Sequence, residues 1–427
     1  MPKEKGAAKG GHVRRLFSAH PGTAEDIDGP AAWARMLVCL LYSSIGGAGM
    51  WAVVVVLPAM QAEFSVERGE ASLPYTFTMA GFALGNFMMG RLIDRHGTAL
   101  PLALAGAGLG GGFILAGLAP SLPMITVIQG VLIGAASGAA FAPLLADISH
   151  WFFRRRGIAV ACVASGNYIA GTFWPLVMQP LMAAGGWRLT YITIGVTCLL
   201  VMVPLAAMLR RASPRGLAPS ARPGQSVQFR PAETGLSPTQ LQILLVIAGL
   251  GCCVAMSMPQ VHIVAYCADL GYGVARGAEM LSLMLAAGIV SRLASGWLAD
   301  RIGGVRTLII GSVGQGLALL FYIPFDGLAS LYLVSFIFGL AQGGIVPSYA
   351  IIVREYMPAS EAGQRTGLVI MATIAGMAAG GWMSGEIYDL TGSYAAAFIN
   401  GIAWNLVNLA AMSLILWRTR SGGTATA

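Results

Sequence analysis

The chain has 427 residues, 56% of them hydrophobic and only 10% charged, with 26 Lys plus Arg against 18 Asp plus Glu. A mean hydropathy of +0.72 excludes an ordinary water-facing surface, because so few charged groups cannot cover a soluble globule. The pI near 9.4 does not call for nucleic acid, since the basic residues sit in short clusters between apolar runs.

Residues 1–32 are polar, hold all three lysines (Lys3, Lys5 and Lys9) and lack the apolar stretch of a cleavable signal peptide. They read as a cytoplasmic N-terminal tail, which leaves the first span as the targeting signal. A crossing helix needs about 20 mostly apolar residues. Hydropathy and chain breakers mark spans near 34–58, 72–93, 99–119, 122–148, 158–183 and 188–209, and again near 241–267, 277–299, 306–325, 328–352, 366–387 and 393–417. Residues 33–209 thus form one six-helix half and 240–418 a second. Residues 210–239, in which Arg210, Arg211, Arg215, Arg222 and Arg230 alternate with prolines, form a cytoplasmic linker, and 419–427 a cytoplasmic C-terminal tail.

Charge placement agrees with an even number of spans. With the N-terminus inside, 22 Lys and Arg fall in inside segments, three (Arg68, Arg188, Arg276) fall outside, and Arg292 remains within a span. Basic residues near span ends collect on the cytoplasmic side, so the expected location is the inner (plasma) membrane, multi-pass, with both termini cytoplasmic. Six cysteines (Cys39, Cys162, Cys198, Cys252, Cys253 and Cys267) lie inside apolar runs without metal-ligand spacing and read as small buried hydrophobes. No G-x-x-x-x-G-K-[ST] loop or Ser/His/Asp constellation occurs, so no nucleotide, metal, cofactor or catalysis is expected.

The halves repeat each other. Gly90-Arg91-Leu92-Ile93-Asp94-Arg95-His96-Gly97 closes the second span, and Gly296-Trp297-Leu298-Ala299-Asp300-Arg301-Ile302-Gly303 closes the eighth. Gly134 and Gly138 of the fourth span recur as Gly339 and Gly343 of the tenth, giving small-residue faces where helices approach closely. Parallel halves related by an axis along the membrane normal are a carrier architecture.

The two G-x-x-x-D-R-x-G loops resemble the signature of the major facilitator superfamily, over about 34–417. The resemblance implies an all-α membrane protein of twelve transmembrane helices in two pseudo-symmetric six-helix halves, with Asp94, Arg95, Asp300 and Arg301 gating the cytoplasmic side. Within that superfamily the stretch from Trp151-Phe152-Phe153-Arg154-Arg155-Arg156 to Ser165-Gly166 is similar to the loop into the fifth span of monocarboxylate transporters and their oxalate:formate antiporter relatives. Asp28-Gly29 with Trp33 echoes their first-span motif. The chain departs from proton-coupled members at Gly288, which stands where they carry an acid one turn before the eighth-span arginine. It departs again at Trp51, which an ungapped alignment on Trp33 sets where several animal members have a lysine.

A charge inside a span is a functional hypothesis by default, because hydrocarbon does not tolerate it. Arg292 lies seven residues before Ala299, roughly 10 Å along the helix from its cytoplasmic end. It corresponds in the resemblance to a substrate arginine, and a guanidinium can grip a carboxylate bidentately. Pairing with Asp147 or another buried acceptor, and snorkelling to water, are its structural alternatives. Asp147 itself is expected to support the basic loop Arg154–Arg156. His262 follows Pro259 in the seventh span and is the expected proton-responsive group, against the commoner case of a satisfied core histidine. Asn167, Tyr168 and Tyr349 are the expected pocket residues among several polar side chains at central depth, most of which bridge helices.

The sequence therefore reads as a secondary carrier of a small organic anion, a monocarboxylate because one central cation matches one negative charge. Protons or a counter-anion are its expected coupling partners and the bilayer its surroundings. An efflux carrier of amphipathic drugs or metabolites, indifferent to Arg292, and a non-transporting ligand receptor on a transporter fold are the alternatives.

Overall fold

Apolar runs in lipid fold as helices because a helix pairs every backbone N–H and C=O within its own segment. The structure is a computed structural model that describes residues 26–211, 236–358 and 361–422; helices dominate and no strand occurs among the described residues. Most of the expected N-terminal tail, the middle of the linker, residues 423–427 and the Asp94 side chain lie outside them.

Span 1 is Pro30–Phe64, in two helical pieces either side of Gly47. Span 2 is Arg68–His96, span 3 Ala99–Leu118, and span 4 Leu122–Ser149 with a π-helical stretch at Gln129–Gly134. Spans 5 and 6 share the 53-residue helix Arg156–Met208, which Gly185 and Gly186 break, the latter at φ +72°. Spans 7 to 12 are Pro238–Asp269, Val274–Ile302, Gly304–Phe321, Leu328–Tyr356, Ala362–Thr391 and Tyr394–Gly422. Ten helices are long and apolar enough to cross a membrane. Dividing Arg156–Met208 and adding span 2, which is more polar, gives twelve crossings among the described residues.

Each internal repeat has a structural counterpart. The last glycine of each signature loop ends its helix with a left-handed backbone: Gly97 at φ +74° donates to the Ile93 carbonyl at 2.9 Å, and Gly303 at φ +85° donates to the Ala299 carbonyl at 2.9 Å. That conformation costs little only without a Cβ. A Cβ on Gly134 or Gly138 would collide with span 2 backbone at Thr78 and Phe82, and one on Gly339 or Gly343 with span 8 backbone at Met284 and Gly288. Span 4 therefore seats on span 2 as span 10 seats on span 8.

Within the first six spans the main pairings are 1 with 5, 2 with 4 and 3 with 6; within the last six, 7 with 11 and 12, 8 with 10 and 9 with 12. Spans 2 and 11, and spans 5 and 8, join the two groups. Connectivity puts the described ends and both signature loops at one end of the bundle, called the terminal end below, with Arg68, Asp269 and Asp389 at the opposite end.

A buried knot ties the terminal end of the first group. Arg35 donates from Nε to Asp147 at 2.7 Å and from Nη2 at 3.0 Å, while Thr98 donates to the same carboxylate at 3.0 Å. Arg35 also caps the end of span 6 through the Arg211 carbonyl at 2.9 Å, and its guanidinium lies 4.6 Å from the Trp151 ring centroid. Asp147 is thus committed to Arg35 and not, as the sequence suggested, to the Arg154–Arg156 loop. That loop is held by Asp28, which accepts the amide protons of Phe153 and Arg154, while Trp33 packs edge-on against Phe152. The two sequence motifs that resembled monocarboxylate transporters are therefore one structural unit.

Candidate functional site

Arg292 sits on the face of span 8 that meets spans 5 and 10, where small residues let the helices close up. Gly343 packs on the Gly288 carbonyl, and a Cβ on Gly288 would stand 3.3 Å from the Tyr168 ring. The bare backbone leaves room for that ring, and the Arg292 guanidinium lies over it at 4.2 Å from the centroid. Its Nη1 donates to the Ala164 carbonyl of span 5 at 3.0 Å and its Nε to the Gly343 carbonyl of span 10 at 3.4 Å. The arginine is half-buried, and no ion pair to it occurs among the described residues. Asp147, its alternative partner, is taken by Arg35.

Asn167 and Tyr168 belong to the same surface. Trp51 of span 1 donates from Nε1 to the Asn167 carbonyl at 3.0 Å and to its Oδ1 at 3.2 Å. The Asn167 Nδ2 has the Met50 thioether at 3.5 Å. Trp51 also fills the space above Gly171, so spans 1, 5 and 8 meet around it. The arrangement offers one permanent cation, an aromatic face and an amide donor to a small anion.

The other two candidates, Tyr349 and His262, have their partners within the last six spans. Tyr349 is fully buried within the last six spans and donates to Asn408 of span 12 at 3.2 Å. His262 is fully buried and its Nε2 bonds the Gly381 carbonyl of span 11 at 2.7 Å. A carbonyl only accepts, so Nε2 carries the proton, and Nδ1 faces the Tyr394 hydroxyl at 3.5 Å.

That tyrosine leads to a cluster the sequence reading missed. Arg68, buried at the start of span 2, donates from Nη1 and Nη2 to Asp269 of span 7 at 2.9 and 3.2 Å, from Nε to Gln61 at 2.6 Å, and from Nη1 to the Tyr394 hydroxyl. The free amides of Arg68 and Gly69 donate to Asp389 of span 11 at 2.9 and 2.6 Å, a carboxylate at a helix N-terminus. The guanidinium also lies 4.7 Å from the Tyr388 ring centroid. The available signal was an outside arginine with aspartates near the ends of spans 7 and 11, but no local spacing links residues 68, 269 and 389.

The contacts joining the two groups run from this cluster to Arg292. Gly385 packs at Arg68, Gly69 at Glu386, Gly381 at Tyr75, Gly171 at Leu285 and Gly288 at Tyr168. Towards the terminal end of the same four helices the glycines are open: Gly90 of span 2, Gly157 of span 5, Gly296 of span 8 and Gly363 and Gly367 of span 11 have nothing within 4 Å of where a Cβ would stand. The bundle is closed at the Arg68 end and parted at the terminal end. There the signature residues Arg95, Asp300 and Arg301 are exposed and make no ion pair among the described residues, Arg301 lying over Trp297 at 3.9 Å.

Comparisons with known proteins agree with this architecture. Monocarboxylate transporter 13 of Bos taurus is 25% identical over 378 residues, spanning 88% of this chain and 87% of the relative. Monocarboxylate transporter 11 of Mus musculus is 27% identical over 395 residues, spanning 89% and 86%. Among solved structures, a peptide transporter POT superposes with a TM-score of 0.73 at 14% identity, covering 95% of this chain and 98% of that one. A bacterial homologue of the human lysosomal transporter Spinster, inward-facing and occupied, superposes with a TM-score of 0.67 at 16% identity, covering 90% and 96%. The family model described as Major Facilitator Superfamily matches residues 39–328 and 269–426. Paired signature loops, a matching helix seat in each group and that match over both groups have one conclusion: the chain belongs to the major facilitator superfamily and is a multi-pass membrane transporter, not an enzyme.

Proposed function

We propose that this transporter is a secondary carrier of a small organic anion, a short monocarboxylate, working by alternating access around Arg292. The observation that carries the reading is the guanidinium of Arg292, held by two carbonyls and the Tyr168 ring with no carboxylate beside it among the described residues. An uncompensated charge at that depth costs several kcal/mol, and a carboxylate of the substrate neutralises it. One cation suits one negative charge. The names of the two mammalian relatives support the same substrate class.

The 22 to 3 division of basic residues supports cytoplasmic termini in the plasma (inner) membrane, which makes the parted end the cytoplasmic one. In the opposite state Asp94, Arg95, Asp300 and Arg301 close that end while the Arg68 cluster releases. His262 responds to protons beside that cluster, and Asn167 and Tyr168 line the anion's pocket. Tyr349 supports the pocket from within the second half. A counter-anion fits the coupling better than the proton pattern that would need an acid at Gly288.

Counterflow of labelled short monocarboxylates into proteoliposomes tests the reading. Wild type accumulates label against a loaded unlabelled acid, and Arg292→Ala abolishes it. A variant that transports as well as wild type removes the anion site.

A further inference from the structure

The knot at the terminal end leaves two buried donors unspent. Trp151 is 1% exposed, and its Nε1 has no hydrogen-bond partner among the described residues. An indole N–H only donates, and a buried donor left unpaired is costly. The Nε of Arg211 is buried and unpartnered in the same sense, although its Nη2 is paired with Asp26. The Arg211 guanidinium stands 5.8 Å from the Trp151 ring centroid, so the two donors belong to one cluster. Both side chains line one outward-opening cavity, whose apolar walls are Ala34 and Val38 of span 1 and Met208 of span 6. It lies where span 1 begins, span 6 ends and span 4 runs into its loop, the level of headgroups and interfacial tryptophans.

We infer that this cavity binds the phosphate of an anionic phospholipid, one phosphate oxygen accepting from Trp151 Nε1 and another from Arg211 Nε. Arg35 and Arg211 are each paired with an aspartate, and Asp28 is engaged by the loop amides. Arg154, Arg155, Arg156 and Arg210 add exposed positive charge beside them. Phosphate takes charge-assisted hydrogen bonds from such a set, and basic pockets between spans hold anionic headgroups. Beyond the cavity the same two helices present exposed apolar side chains, Leu37 and Leu41 of span 1 and Val201 of span 6. Acyl chains cover that hydrocarbon in a bilayer, which favours a lipid over a free phosphate ion. A choline headgroup would bring a further cation into a basic patch, so zwitterionic lipid binds more weakly. The bound headgroup ties the end of span 6 to the Trp151 loop and to span 1, and so stabilises the first group of helices.

Native mass spectrometry of the delipidated full chain in detergent, titrated with dioleoyl phosphatidylglycerol or dioleoyl phosphatidylcholine, tests this. Wild type should retain one phosphatidylglycerol about tenfold more tightly than phosphatidylcholine. Trp151→Phe keeps an aromatic ring and deletes the N–H; it should weaken phosphatidylglycerol about tenfold, the worth of one hydrogen bond to a charged group. Arg211→Gln should weaken it at least as much. Arg306→Gln removes an exposed charge at the terminal end of span 9 and should leave the affinity near wild type. Should Trp151→Phe fail to assemble, Arg211→Gln against Arg306→Gln decides. Equal retention of the two lipids, or an equal loss in Arg306→Gln and the cavity variants, means diffuse attraction to charge and overturns the inference. Inorganic phosphate that binds with the same dependence on Trp151 and Arg211, while phosphatidylglycerol is not retained, makes this a free-anion site and overturns the lipid assignment.

Discussion

At the scale of residues, two arginines inside the bundle differ in their partners. Arg35 is paired with Asp147 at 2.7 Å and both are almost wholly buried, so the pair is structural. Removing one member leaves a buried charge uncompensated, at a cost of about 3–5 kcal/mol. Asp147→Asn is therefore expected to lower the thermal midpoint of the purified protein sharply, whereas Arg35→Met with Asp147→Leu recovers most of it; equal losses in the two would contradict the assignment. Arg292 has carbonyls and a ring where Arg35 has a carboxylate. The sequence showed Arg292 as a charge stranded in a span; Asn167 and Tyr168 were named from the spans that line the pocket in the resemblance, and of the two Tyr168 lies under the guanidinium. His262 was named as a central titratable group next to Pro259 and Tyr349 from the spans that line the pocket in the resemblance, and neither ground gives the direction a side chain takes around its helix. Both point into helix packing within the second group.

At the scale of elements, pairing between the halves decides which end is open. The Arg68 cluster ties span 2 to spans 7, 11 and 12 through Asp269, Asp389 and Tyr394. Arg68→Gln removes the charge and most of these bonds while keeping a hydrogen-bonding side chain. It is expected to raise labelling by a membrane-impermeant thiol reagent at a cysteine placed at Ser72, a fully buried position one turn from Arg68 where the exchange is nearly isosteric. Unchanged labelling would show that the cluster is not what holds this end shut. Sequence patterning revealed the helices, the matching Gly97 and Gly303 turns and the glycine seats of spans 4 and 10, because each rests on a local spacing. The Arg68 cluster was invisible because its partners are about 200 and 320 residues away. The same limit hid the union of Asp28 and Trp33 with the Phe152–Arg154 loop.

At the scale of the whole molecule, the two helical groups meet from the Arg68 cluster down to Arg292 and part beyond it. A central cation at the last rung of that contact is placed so that an anion bound there touches both groups: Tyr168 and Ala164 on one, Arg292 and Gly343 on the other. Binding energy spent across that boundary can shift the balance between states only if the anion is held better in one of them. The central claim is that an anion on Arg292 draws the terminal end together. The most direct test is the distance between spin labels at Gly90 and Gly367, two positions with open space around them on spans 2 and 11, measured with and without saturating pyruvate. The account predicts that pyruvate shortens the distance in wild type and leaves it unchanged in Arg292→Ala; the same shortening in both proteins would contradict it.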